Sequence, residues 1–295
     1  MYIATLLTNP ATPRLTGAMV EALQTAWGGG TATWLAPDIA AEFPLDRVPG
    51  NRWDVWESLQ AEGVDLLVQP AAGRKKKMLL ADMDSTMIGQ ECIDELAAAA
   101  GVGDRVADIT ARAMNGELDF EGALTERVGL LAGLPEAVIA EVLAERITPA
   151  PGGAQLVATM RAQGAWTVLV SGGFTAFSRE VAAWLGFDET RANALLIEAG
   201  RLTGQVAQPI LGRAAKVETL ERVARARGIA EADVLAVGDG ANDLGMLHRA
   251  GTGVALHAKP AVAAECDLRV NHGDLTALLY LQGYSQAEFA LHDAA

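Results

Sequence analysis

Apolar positions along this chain fall into short unbroken runs, separated by longer stretches with helical spacing. The clearest run covers residues 78–81, Met-Leu-Leu-Ala, and ends abruptly in Asp82 and Asp84. Such a run suits a strand buried on both faces of a parallel sheet. Side chains two apart on an extended segment point the same way, so both carboxylates leave the strand end toward one site. A buried strand carries two charges only when something pairs with them, and a divalent cation is the obvious partner.

The rest of the pattern divides about this run. Before it, residues 2–8, 31–35 and 64–68 read as strands, and 15–26 and 53–61 as helices. They predict a small α/β or α+β module over residues 1–73. Arg74 and Lys75-Lys76-Lys77 then read as a solvated linker. After the run, residues 91–100, 104–114, 120–131 and 135–146 read as helices with no strand between them, Pro135 taking a first-turn position. They predict a helical cap inserted at about residues 90–150, closed by Pro149-Ala150-Pro151-Gly152-Gly153. Strands and helices alternate from there on. The strands are 166–170, 234–237 and 252–256, and Ser171-Gly172-Gly173-Phe174 reads as the turn after the first of them. A hairpin reads across Gly200-Arg201. The alternation predicts a doubly wound, Rossmann-like parallel sheet within residues 74–295.

Composition narrows the class. The chain has 295 residues, 51% of them hydrophobic, which supplies a full core. No apolar run approaches a membrane span. The opening residues lack the basic region of a secretory signal, and Cys92 and Cys266 have no metal-ligand spacing. A cytoplasmic protein is expected. The net charge of −14 argues against nucleic acid and against anionic membranes as partners. It would also repel a phosphate substrate, so local cations must overcome it. Lysine is scarce, with five in all, and outside 75–77 only Lys216 and Lys259 remain.

Three apolar strands end in Asp82, Ser171 and Asp239. Ligands of open parallel sheets bind at the carboxyl ends of strands, so these stretches converge on one crevice. Paired carboxylates with a third acid make a hard oxygen cage that suits magnesium. Ser171 with the amides of Gly172 and Gly173 makes a phosphate nest, and Lys216 near a helix start brings a point charge to phosphate oxygens.

Asp82-Met83-Asp84-Ser85-Thr86, Ser171, Lys216 and Gly238-Asp239-Gly240-Ala241-Asn242-Asp243 resemble the motifs of the haloacid dehalogenase (HAD) superfamily. The resemblance covers about residues 77–272. Within it, Glu91, the stretch Met114-Asn115-Gly116-Glu117-Leu118-Asp119-Phe120, Arg127 and Val170-Ser171-Gly172-Gly173-Phe174 are similar to the phosphoserine phosphatase family. Met83 stands where that pattern often has Phe, a packing position. The resemblance implies magnesium-dependent hydrolysis of O-phosphoserine, the last step of serine synthesis. It implies Asp82 as nucleophile and Asp84 as proton donor and acceptor. Magnesium would be held by Asp82, the Asp84 carbonyl and Asp239; Ser171, Gly172 and Lys216 would bind phosphate, with Asn242 and Asp243 orienting groups around it. Glu91 would meet the substrate ammonium and Arg127 its carboxylate, and Met114 and Phe120 would close an apolar lid. Some members carry ACT-like regulatory modules, for which residues 1–73 are a candidate, and a homodimer is a further candidate state.

Blander roles stay open for several of these residues. Asp239 and Asp243 would also serve as helix caps, Glu91 as a first-turn acid, and Arg127 as a partner for Glu126 or Glu121. Two other functions compete: a HAD phosphatase for another small phosphomonoester, and a regulatory ligand-binding protein whose HAD domain is inactive.

Overall fold

The computed structural model describes residues 1–114 and 117–290. The Met114 side chain, Asn115 and Gly116, expected in the cap stretch, lie outside the described residues.

The first module runs β1 (Tyr2–Leu7), α1 (Gly17–Trp27), β2 (Thr33–Ala36), β3 (Ala40–Leu45), α2 (Arg52–Ala61) and β4 (Asp65–Pro70). Its sheet is antiparallel, in the order β2-β3-β1-β4, which makes the module α+β with a split βαβ arrangement. The sequence reading lacks β3, because Glu42 and Pro44 interrupt its apolar pattern. Alternation along β1 explains the layering. Ala4 and Leu6 pack with Val20, Leu23 and Phe43 beneath the module's own helices. Leu7 points the other way, into the core of the second module.

That second face changes the expected solvated linker at two of its four charges, while Lys75 and Lys77 stay exposed. Arg74 pairs with Glu42 of β3 and donates from Nε to the Leu281 carbonyl. The Lys76 amide donates to Gln282, and its ammonium reaches the Ala232 carbonyl at 2.7 Å. Arg74 and Lys76 are bound because the connection from β4, though exposed at Lys75 and Lys77, passes over the meeting edge of the two layers. Asp65, fully buried, accepts the backbone N–H groups of Asn271, His272 and Gly273. Arg269 stacks on Trp53 of α2, 4.1 Å from the ring centre.

The second module begins with β5 (Met78–Ala81). Helices α3 (Cys92–Ala99), α4 (Gly103–Met114), α5 (Phe120–Gly129) and α6 (Ala137–Glu145) follow without a strand. Then come α7 (Gly153–Ala162), β6 (Trp166–Phe174), α8 (Thr175–Leu185), β7 (Glu189–Asn193), the hairpin β8 (Leu195–Glu198) and β9 (Arg201–Val206), and α9 (Arg213–Arg227). The chain closes through β10 (Val234–Gly238), α10 (Leu244–Arg249), β11 (Thr252–Leu256), α11 (Pro260–Ala264), β12 (Leu268–Val270) and α12 (Ala277–Leu281). Six parallel strands lie in the order β12-β11-β10-β5-β6-β7. β5 is central and buried along its whole length. Met78 and Leu80 enter the core under α9 and α10, while Leu79 and Ala81 enter the core under α7 and α8. The unbroken apolar run is thus what a doubly wound sheet requires of a middle strand.

Two local expectations change. Ser171-Gly172-Gly173 is not a turn: β6 continues to Phe174, with a register shift against β7 after Val170 that re-aims the strand end. Pro135 does not open a helix. Its segment is held by the hairpin, with Gly133 N–H to Leu202 O at 2.8 Å and Glu136 N–H to Gly200 O at 2.9 Å, and α6 starts at Ala137. The hairpin therefore leans on the loop after α5.

Candidate active site

The carboxyl ends of β10, β5 and β6 lie side by side, and each delivers part of one crevice. Asp82 follows β5 with its N–H still bonded to Val237 O of β10 at 3.0 Å, so its direction is set by the sheet. The chain then turns sharply: the amides of Thr86, Met87 and Ile88 all converge on Met83 O. Ser85 takes a positive φ of 55° in that turn, a strained setting for a residue with a side chain.

The turn points Asp84 back across the site. Its Oδ1 accepts Cys92 N–H, at the start of α3, at 2.9 Å, and its Oδ2 accepts the Ser171 hydroxyl at 3.0 Å. The Gly173 amide donates to Ser171 Oγ at 2.8 Å. A Cβ on Gly173 would stand 2.8 Å from Asp84, so only glycine lets β6 pass so close to the acid.

Lys216, in the first turns of α9, is 2% exposed and donates to both Asp82 and Asp243, the latter at 2.6 Å. Burial opposes its charge, but the two carboxylates win and push its pKa up. Burial and the neighbouring Asp243 push Asp82 up, against the pull of Lys216. Burial and Asp243 also raise Asp239. The cause is common: Asp82, Asp239 and Asp243 crowd around one buried ammonium. Asp243 makes no capping bond to α10. Its second oxygen instead takes the Gly240 N–H at 3.0 Å. Carboxylate oxygens of Asp82, Asp239 and Asp243 lie within 4.8 Å of one another, the one such cluster among the described residues. A hard, charge-excess, oxygen-only set of this kind fits a divalent cation. Asp243, expected only to orient, belongs to the cluster, whereas the Asp84 side chain is committed to Ser171 and α3.

Glu91 immediately precedes α3 and accepts the Ser85 hydroxyl at 2.7 Å. Burial and the nearby Asp84 raise its pKa. Arg127, on α5, forms no ion pair with Glu126, which binds Arg112, nor with any other described carboxylate. It lies instead where Asp94, Glu91 and Asp84 support its charge against burial. The structure therefore brings Glu91 and Arg127 toward the same acids. Phe120, the first residue of α5, presses its ring on Gly172 and Gly212; a Cβ at either would stand 3.0 and 3.1 Å from ring atoms. Asn242 sits half-buried on the turn between Asp239 and Asp243.

Sequence reasoning missed Asn193. This buried side chain, at the end of β7, donates to Gly172 O at 2.8 Å and Leu211 O at 3.2 Å, and accepts Leu211 N–H at 2.7 Å. It ties the glycine nest to the loop that leads into α9 and Lys216. No local signal marks it, since its partners lie 18 and 21 residues away. Thr86, donating to Asp239 Oδ1 at 3.3 Å, stands in the quoted motif but without an expected role.

The family model for haloacid dehalogenase-like hydrolases matches residues 79–248. A curated phosphoserine phosphatase from Streptomyces coelicolor is 43% identical over 263 residues, which cover 87% of this chain. The chain spans 63% of that relative's length. Among solved structures, a HAD family hydrolase from Salmonella enterica serovar Typhi superposes with a TM-score of 0.86 at 30% identity, covering 95% of this chain and 98% of the other. A phospho-aspartyl intermediate analogue of phosphoserine phosphatase superposes with a TM-score of 0.65 at 40% identity, over 70% of this chain and 98% of the other. With its strand-end acids, buried lysine and inserted helices, the chain belongs to the haloacid dehalogenase-like hydrolase family, alongside the phosphoserine phosphatases.

Proposed function

We propose that this chain hydrolyses O-phosphoserine to serine and phosphate through an aspartyl-phosphate on Asp82. The observation that carries the reading is Lys216, buried between Asp82 and Asp243. An ammonium so placed aims Asp82 and favours its charged form against burial, and it offers charge to an incoming phosphate that the acidic chain would otherwise repel.

In the first step an oxygen of Asp82 attacks phosphorus and the bond to the seryl oxygen breaks. Asp84 gives that oxygen a proton, so serine leaves neutral at its hydroxyl. In the second step Asp84 takes a proton from water, the water attacks phosphorus, and the Asp82–phosphate bond breaks. Ser171, Lys216 and the Gly172 amide hold the phosphate oxygens throughout, with the Gly173 amide fixing the Ser171 hydroxyl. Asp82, Asp239 and Asp243, with the Asp84 carbonyl, would hold Mg²⁺, which neutralises charge on the transferring group. Treating the protein with a chelator and removing it by dialysis should abolish phosphate release, and added Mg²⁺ should restore it. Activity that survives chelation would remove the metal from the reading.

Substrate choice rests on Glu91 and Arg127. A phosphoserine carries an ammonium and a carboxylate, and the acid and guanidinium match them, the latter with a bidentate fork. Phe120 over Gly172 excludes water when the cap is closed. Arg127→Ala should raise KM for phosphoserine by about 10- to 100-fold, the worth of about 1.5–3 kcal/mol of charged hydrogen bonding. KM for p-nitrophenyl phosphate, which lacks the carboxylate, should change little. Equal effects on both esters would point to another small phosphomonoester. Residues 1–73 are read as a separate module built around its own apolar core, docked on the phosphatase module through Asp65 and Arg74.

A further inference from the structure

We propose that a second anion site, for a compact phosphate or carboxylate, lies in the cleft where the two modules meet. The cleft has a volume of about 520 Å³. Asn9, Thr12 and Arg14 line it from the loop between β1 and α1, and Gln60 from the end of α2; His257, Asn271 and His272 line it from the carboxyl ends of β11 and β12. None of its lining residues belongs to the catalytic crevice.

Its charge is what sets it apart. The chain carries 37 acidic residues against 23 lysines and arginines, yet no carboxylate lines this cleft. Two of the chain's four histidines do. Asp65, behind Gln60 and outside the lining, is already occupied by three backbone N–H groups, of Asn271, His272 and Gly273. The lining is rich in unspent donors. The Arg14 guanidinium is exposed, rests on the Gly63 backbone and makes no ion pair among the described residues. A guanidinium offers a planar fork that matches carboxylate and phosphate oxygens. Two acceptors in the same wall are taken: Asn9 Oδ1 by Ala11 N–H, and Gln60 Oε1 by the Asn271 side-chain amide.

The wall is also held in shape. His257 has a positive φ of 47°, and its Nε2 bonds to Gly273 O at 2.7 Å, which joins the ends of β11 and β12. The side chains of Asn271 and Gln60 bond across the module boundary at 2.7 Å. These bonds fix the two walls to each other, with Arg14 of one module and His272 of the other lining one space, and preorganisation of that kind lowers the cost of binding. The site does not depend on the phosphatase reading, and it would stand if the substrate were another ester.

Calorimetric titration of the full chain tests it, with inorganic phosphate and, separately, with succinate. Phosphate should fill two sites, one lost in Ser171→Ala and the other weakened at least 10-fold in Arg14→Glu. Succinate should bind once, with the same dependence on Arg14, if carboxylates are accepted; phosphate alone at the Arg14-dependent site narrows the class to phosphates. Arg14→Gln repeats the test without charge reversal, and circular dichroism checks both folds. The proposal is overturned if the parent takes up phosphate only at the Ser171-dependent site and binds no succinate, or if both Arg14 variants bind as the parent does. Failure of the phosphatase reading would show in ester turnover and leave this binding unchanged.

Discussion

Asp82→Asn should lower turnover of phosphoserine by at least about 10⁴-fold, the scale of loss seen when a covalent nucleophile is removed. The amide keeps the shape of the carboxylate but cannot attack phosphorus. The fold should survive the change. Asp82 is buried, and burial together with Asp243 already opposes its charge, so a neutral side chain relieves repulsion while Lys216 keeps its bond to Asp243. The melting temperature should therefore hold or rise, the usual relation between a strained site and stability. Rapid-quench assays of phosphate release beside a thermal melt check both halves. Turnover within about 10-fold of the parent would remove Asp82 from the role of nucleophile.

Asp65→Ala should cost about 3–5 kcal/mol of stability, through the orphaned N–H groups it leaves behind. One fully buried carboxylate accepts Asn271, His272 and Gly273 N–H at 2.9, 3.0 and 2.8 Å. These donors follow β12, where the chain turns under the first module. Alanine removes the acceptor of all three, and the Gly273 N–H, in the buried part of the interface, is left with none. The melting temperature should fall by on the order of 10 °C. Asp65→Asn, which keeps one acceptor oxygen, should fall in between. Urea unfolding of the three proteins provides the measurement. A loss below about 1 kcal/mol for Asp65→Ala would mean that the loop finds other partners.

The two predictions differ in what made them visible. Asp82 was legible because the run 78–81 is apolar at every position and then stops at an acid. That pattern has one physical solution, a strand buried on both faces whose end opens into a crevice. Lys216 was legible for a different reason: in a chain with five lysines, one near a helix start stands out. Asp65 gave no such sign. It opens a strand in a module with no chemical motif, and its partners lie more than 200 residues away. Asn193 was hidden in the same way. The β6 extension through Ser171 was hidden by its glycines, which read as a turn in sequence but here let a strand pass beside Asp84.

The sequence by itself determined the alternation of strands and helices, the inserted helices and the acids at the strand ends. These follow from local spacing, because burial on one or both faces writes its period directly into the chain. Only the tertiary structure decided which partners each acid takes. It ties the Asp84 side chain to Ser171 and to the start of α3, and it gathers Asp82, Asp239 and Asp243 into one cluster around Lys216. It also bound part of an expected linker into an interface, with Arg74 paired to Glu42 and Asp65 holding the loop after β12. The physical reason is range. A hydrogen bond or ion pair between residues far apart in sequence leaves no periodicity behind, so it is settled only when packing brings the partners together.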